Sequence, residues 1–168
     1  MSDQAGPWGE ELPRPAPEVG ASCPVVVAGL DGSDASWGAF AWACGEARRL
    51  CGRVVAVLVS PCASVMTAAA VAAAGVPAIT EGDVERAAAE HAAAVEEALR
   101  CQLVGDDVSV EFVHARGGRA AELLRVCEEH HADVVVVGRT TSLPHRLAGS
   151  LARRLVNDRH APVVIVVP

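Results

Sequence analysis

Two glycines, a serine and a run of arginines near the end of the chain are the residue types that hold a phosphate. The stretch Asp133 to Pro168 reads DVVVVGRTTSLPHRLAGSLARRLVNDRHAPVVIVVP. An apolar run, Val134 to Val137, stops at Gly138, and a polar loop ends in Gly149-Ser150. A short basic helix and a second apolar run, Val163 to Val167, then close the chain. A strand that stops at glycine and a loop that runs into a helix start aim backbone N–H groups and the positive end of a helix dipole at an anion. Residues 139–159 hold five arginines (139, 146, 153, 154 and 159) against one aspartate, a local charge of +4 in a chain of net charge −7. That segment suits an anionic ligand, although a solvated helix face has the same composition.

Groups for catalysis are scarce. All 14 basic residues are arginine, so neither the lysine of a Walker phosphate loop nor the late lysine of a response regulator is available. No Gly-x-Ser-x-Gly elbow occurs. His145 is the one acid–base side chain in the loop, and a histidine so placed is ordinarily solvated. His91 reads as a half-buried residue of a helix over 82–103. His130 and His131 close another helix, where adjacent residues point apart and cannot share a metal. The six cysteines (23, 44, 51, 62, 101 and 127) show no C-x-x-C or metal spacing. Cys44 and Cys51 share a helical face with Phe40 and Ala47 and are expected to be buried.

Several classes fall away on composition. A net charge of −7 argues against nucleic-acid binding and against an anionic membrane surface. The apolar runs are too short to span a bilayer, and the acidic, Pro-rich N-terminus is no signal peptide. A reducing cytoplasm fits the free cysteines. Residues 1–22 carry four prolines and no periodicity, which reads as a disordered tail ahead of one domain over 23–168.

The elements that must position the phosphate-type residues alternate. Val25–Leu30 and Val54–Val59 are continuous apolar runs, the pattern of strands buried on both faces. The first ends in Asp31-Gly32-Ser33-Asp34, a turn that also supplies a helix cap. A helix over 35–51 follows, with Phe40, Ala43, Cys44, Ala47, Leu50 and Cys51 inward, Trp42 outward and Gly52 as its stop. The stretch 60–80 is long for a connection and reads as a packing element or a flap. In the helix over 82–103, Val84, Ala88, His91, Val95, Ala98 and Gln102 share a face. Val108 to His114 alternates, which places it near a sheet edge. A helix over 119–131 turns Ala120, Leu123, Leu124, Cys127 and His131 inward. A strand over 134–137, a helix near 147–157 and the strand 163–167 complete a βαβαβαβαβ order. Such an order predicts a mostly parallel, right-handed, doubly wound sheet whose ligand lies beyond the carboxyl ends of the strands. Asp31 and the 138–150 loop then face one crevice.

VVVAGLDGSDASWGAFAWA at the start and ADVVVVGR…GSLARRLV…APVVIVVP at the end resemble the universal stress protein family, over about residues 24–168. The resemblance implies a three-layer α/β sandwich with a five-stranded parallel sheet of order 3-2-1-4-5, adenine nucleotide alpha hydrolase-like. It also implies a homodimer formed through the last strand, 163–167. An apolar edge such as VVIVV needs covering, and antiparallel pairing with a second copy would do it. Nucleotide-binding members carry G-x2-G-x9-G-[S/T]. Here Gly138 is followed by Thr141 in place of the second glycine and then by seven residues before Gly149-Ser150, so the loop is two residues shorter. Carried over, Asp31 would meet the adenosine end, Gly138 would begin the phosphate cradle, Gly149 and Ser150 would hold phosphate, and Arg139 and Arg146 would add charge-assisted contacts. Leu30, Gly32, Val57, Thr141 and Leu151 complete the residues expected to bind ATP with Mg²⁺. The Ser-Gly-Gly-x-Asp-Ser loop of ATP-cleaving relatives is absent after the first strand. Three readings follow: a non-catalytic stress-response module that binds an adenine nucleotide, a dimeric scaffold of the subgroup that binds none, and, behind both, a nucleotide hydrolase.

Overall fold

The computed structural model describes residues 23–62, 80–103, 107–139 and 150–168. The expected tail over 1–22 and most of the 60–80 insert lie outside them. The strands are β1 (Val25–Leu30), β2 (Arg53–Ser60), β3 (Ser109–Arg116), β4 (Val134–Gly138) and β5 (Val163–Val167). The helices are α1 (Asp34–Leu50), α2 (Glu81–Gln102), α3 (Arg119–Glu129) and α4 (Ser150–Val156). The five strands form one parallel sheet in the order β3-β2-β1-β4-β5. This is the predicted order, and it puts the alternating strand β3 at an edge, as expected.

Consecutive valines build the middle of the sheet because both of its faces are covered. Val26, Val54 and Val136 belong to the core under α1 and α2, whereas Val27, Val55 and Val135 belong to the core under α3 and α4. All six are 0 % exposed. Each such valine stabilises the fold by about 1.5–3 kcal/mol relative to an exposed one. Register across the middle is β1 to β4 as Val26↔Val134 and β4 to β5 as Val136↔Ile165. The Asp133 carboxylate accepts the Val25 N–H at 2.9 Å and so holds β1 and β4 together at their amino ends.

Several expectations about helix faces and ends need correction. Phe40, Ala43, Cys44 and Ala47 are buried, but Leu50 is 44 % exposed and Cys51 is exposed. The helical period ends there because Cys51 itself takes the left-handed cap, with φ 52. Gly52 is therefore not the left-handed stop. A Cβ on it would lie 2.3 Å from the Pro24 carbonyl oxygen, so glycine serves the close approach of two backbones. The buried face of α2 is Ala92, Val95 and Leu99, which turns His91 and Gln102 outward. In α3, Val126 takes the inward place expected of His131, which lies beyond the helix end at φ 51 and is exposed.

Candidate functional site

The carboxyl end of β1 meets the amino end of α1 in a tight polar turn. Asp31 Oδ1 accepts the Ser33 N–H at 3.0 Å and the Ser33 hydroxyl at 2.6 Å. Ser33 Oγ caps α1 by accepting the Ser36 N–H at 3.3 Å, and the Asp31 N–H donates to Ser36 Oγ at 3.3 Å. Burial pushes the Asp31 carboxyl up. The Ser33 and Ser36 hydrogen bonds and the positive charge of Arg119 outweigh it and hold the group below its ordinary value. Asp31 is thus an ionised carboxylate fixed at the mouth of the sheet.

Gly138 ends β4 directly against that turn. A Cβ there would lie 2.5 Å from both the carbonyl carbon and the oxygen of Ala35, and 2.8 Å from the Ser36 nitrogen. Such backbone-on-backbone contact excludes every other residue. The glycine read from sequence as the start of a phosphate cradle is also what lets β4 close onto α1.

A cavity of about 720 Å³ opens above these ends, on the α3 and α4 side of the sheet. It gathers six of the residues singled out from sequence: Leu30, Asp31, Val57, Gly138, Arg139 and Leu151. They come from β1, β2, β4 and α4 and the turns after them, so the fold unites positions far apart in the chain. Gly32 does not line it. At φ 84 it turns toward His91 on the opposite side. Ser150 begins α4. Thr141, His145, Arg146 and Gly149 lie outside the described residues.

The cavity also holds residues that sequence reasoning passed over. Ser33, Ser36, Val59, Leu123, Arg119 and Arg154 all line it. Arg154 belongs to the basic segment already noted. Arg119 carries a quieter signal: it opens α3, where the helix dipole disfavours a cation. Among the described residues no cluster of histidine, cysteine or acidic side chains is arranged to hold a metal ion. No helix there is long and apolar enough to cross a membrane.

Residues 23–167 match the model of the universal stress protein family. The chain belongs to that family. Solved universal stress proteins share its fold. UspA from Lactobacillus plantarum superposes with a TM-score of 0.68 at 24 % identity, over 88 % of this chain and 99 % of that one. A universal stress protein from Archaeoglobus fulgidus in complex with dAMP gives 0.55 at 21 %, over 88 % and 98 %. A universal stress protein in complex with cAMP gives 0.53 at 20 %, over 88 % and 98 %. No curated protein matches the chain in sequence.

Proposed function

We propose that this universal stress protein is a non-catalytic stress-response module that binds an adenine nucleotide, ATP with Mg²⁺, in the cavity above β1 and β4. One observation carries the reading: the cavity joins the ionised Asp31 to Gly138, Arg139 and Leu151, across the strands where a doubly wound sheet takes its ligand. Its lining is mixed, with valines of β2 on one side and charged groups on the other, which suits a ligand with an apolar ring and an anionic tail. Relatives of the same fold in complex with cAMP and with dAMP support an adenine ring. Calorimetric titration with ATP and Mg²⁺ tests it. Binding heat and a thermal shift are expected, and silence in both at millimolar ATP would sink the reading.

The domain over 23–168 is proposed to work as a cytoplasmic homodimer through β5. That strand is an edge of the sheet, and Val163 on it is 63 % exposed, so a second copy pairing there would cover an apolar edge. Light scattering at micromolar concentration is expected to give twice the chain mass. A stable monomer would leave β5 without this role. A dimer without nucleotide binding would favour the scaffold reading instead.

A further inference from the structure

The amino edge of the sheet, opposite the cavity, carries two cysteines that the fold sets side by side. β1 and β2 are parallel neighbours, with Val25 opposite Arg53. The Arg53 N–H donates to the Pro24 carbonyl oxygen at 2.9 Å, so the pairing reaches the residue before β1. Gly52 is pressed against Pro24 there: a Cβ on it would lie 2.3 Å from that oxygen and 3.5 Å from the Pro24 Cβ. Cys23 precedes Pro24, and Cys51 precedes Gly52. Each cysteine is therefore one peptide bond from a backbone contact, and the register carried on through Pro24 and Gly52 sets Cys23 opposite Cys51. Neighbouring strands lie about 4.8 Å apart, inside the Cα separation of roughly 4.4–6.8 Å that a disulfide spans.

The other cysteines are placed differently. Cys44 and Cys127 are buried on opposite faces of the sheet, in the cores under α1 and α3. Cys62 follows β2 at the carboxyl edge, and Cys101 lies in the last turn of α2, its thiol 4.0 Å from Glu97 Oε1. Cys23 and Cys51 are both exposed, and both are free thiols. Cys51 also holds the left-handed cap of α1 at φ 52, a place ordinarily given to glycine or asparagine. The turn from α1 into β2 thus keeps a thiol where the backbone conformation disfavours any β-carbon.

We propose that Cys23 and Cys51 are a redox-active dithiol that hydrogen peroxide closes into a disulfide. One thiolate attacks the peroxide, forming an S–O bond, breaking the O–O bond and releasing hydroxide. The other thiolate attacks that sulfenic sulfur, forming the S–S bond and releasing a second hydroxide. Each hydroxide takes up the proton that a thiol gave, so two thiols lose two electrons and the peroxide becomes two waters. In a reducing compartment the pair rests as thiols and a dithiol reductant restores it. The ring so closed takes in β1 and all of α1, and it ties the chain ahead of β1 to the α1–β2 turn. The pair lies at the edge of the sheet away from the cavity, so it stands or falls apart from the nucleotide reading.

Titration of the reduced chain with hydrogen peroxide tests the pair, read by intact mass and by peptide mapping without reductant. The wild type should lose two hydrogens, yield one linked peptide joining Cys23 to Cys51, and recover with dithiothreitol. Its urea midpoint should be higher when oxidised than when reduced, because the cross-link restricts the unfolded chain. C23S and C51S should each abolish the linkage and the rise in midpoint, whereas C62S and C101S should behave as wild type. Both paired cysteines are exposed, so the variants should fold, and circular dichroism checks that they do. A linkage through Cys62 or Cys101, a disulfide between two copies of the chain, or oxygen adducts without a cross-link would overturn the proposal.

Discussion

Two crevices lie at the carboxyl edge of the same sheet, on its opposite faces, and they treat polar groups in opposite ways. On the α2 side the Ser60 hydroxyl, on a residue 5 % exposed, is bonded to His114 Nε2 at 2.9 Å. The His91 ring packs against Gly32, and Arg116 is matched by Glu85. On the α3 and α4 side a cavity stands open, with Arg139 and Arg154 facing it unmatched among the described residues. The alternation of β2 divides the two: Leu58 and Ser60 turn one way, Val57 and Val59 the other. Polar groups are satisfied internally where the fold closes on itself. On the cavity side Asp31, Ser33 and Ser36 are bonded to one another, and the arginines are the groups left with capacity.

The hinge of this contrast is Gly138, and the largest expected effect is there. G138A would press a Cβ into the Ala35 and Ser36 backbone, which cannot swing aside as a side chain could. A stability loss of about 1–3 kcal/mol is expected, together with a disturbed Asp31 turn and weaker ATP binding. The same substitution at Gly45, in the middle of α1 with nothing within 4 Å of the added methyl, should instead stabilise by about 0.4–1 kcal/mol. Urea denaturation of both variants checks the pair of signs. A G138A midpoint equal to that of the wild type would show that the close approach is not what requires glycine.

Smaller, and aimed at the independence of the crevices, is S60A. Removing the hydroxyl breaks the bond to His114 and should cost about 1 kcal/mol of stability. It should leave the affinity for ATP unchanged, since Ser60 lies on the other face. A loss of ATP affinity as large as that of an Asp31 variant would mean that the two crevices act as one.

Much of the arrangement was legible in the residues, and what was not has physical causes. Continuous valine runs can be satisfied only by strands covered on both faces, so four of the five strands and their parallel sheet followed from pattern, β3 followed from its alternation, and the strand order came from the family resemblance. Helical faces failed within α2 at His91, and at the ends of α1 and α3, at Leu50, Cys51 and His131. There the chain leaves the helix through left-handed residues that periodicity does not register. Gly138 was read for its chemistry, whereas its packing against α1 depends on a contact between segments about a hundred residues apart. Arg119 was missed because a single arginine opening a helix looks like any solvated charge until the cavity beside it is known.

The smallest effect is a pH dependence confined to the closed crevice. Burial, then the charges of Arg116 and His91, lower the His114 pKa below its ordinary value near 6.5. The folded protein therefore resists a proton that the unfolded chain accepts. Stability from this group is fully present above about pH 6.5 and is lost as pH falls through that value toward the lower folded one. Asp31 behaves differently. Its folded pKa is depressed, so its contribution stays until the pH drops below about 4. The two windows do not overlap, which lets one titration separate the two sides of the sheet. Between about pH 7.5 and pH 5.5 the urea midpoint of the wild type should fall, and that of H114Q should fall less. An H114Q slope equal to that of the wild type would move the pH sensitivity out of this crevice. It would also remove burial at this place as the cause of the lowered His114 pKa.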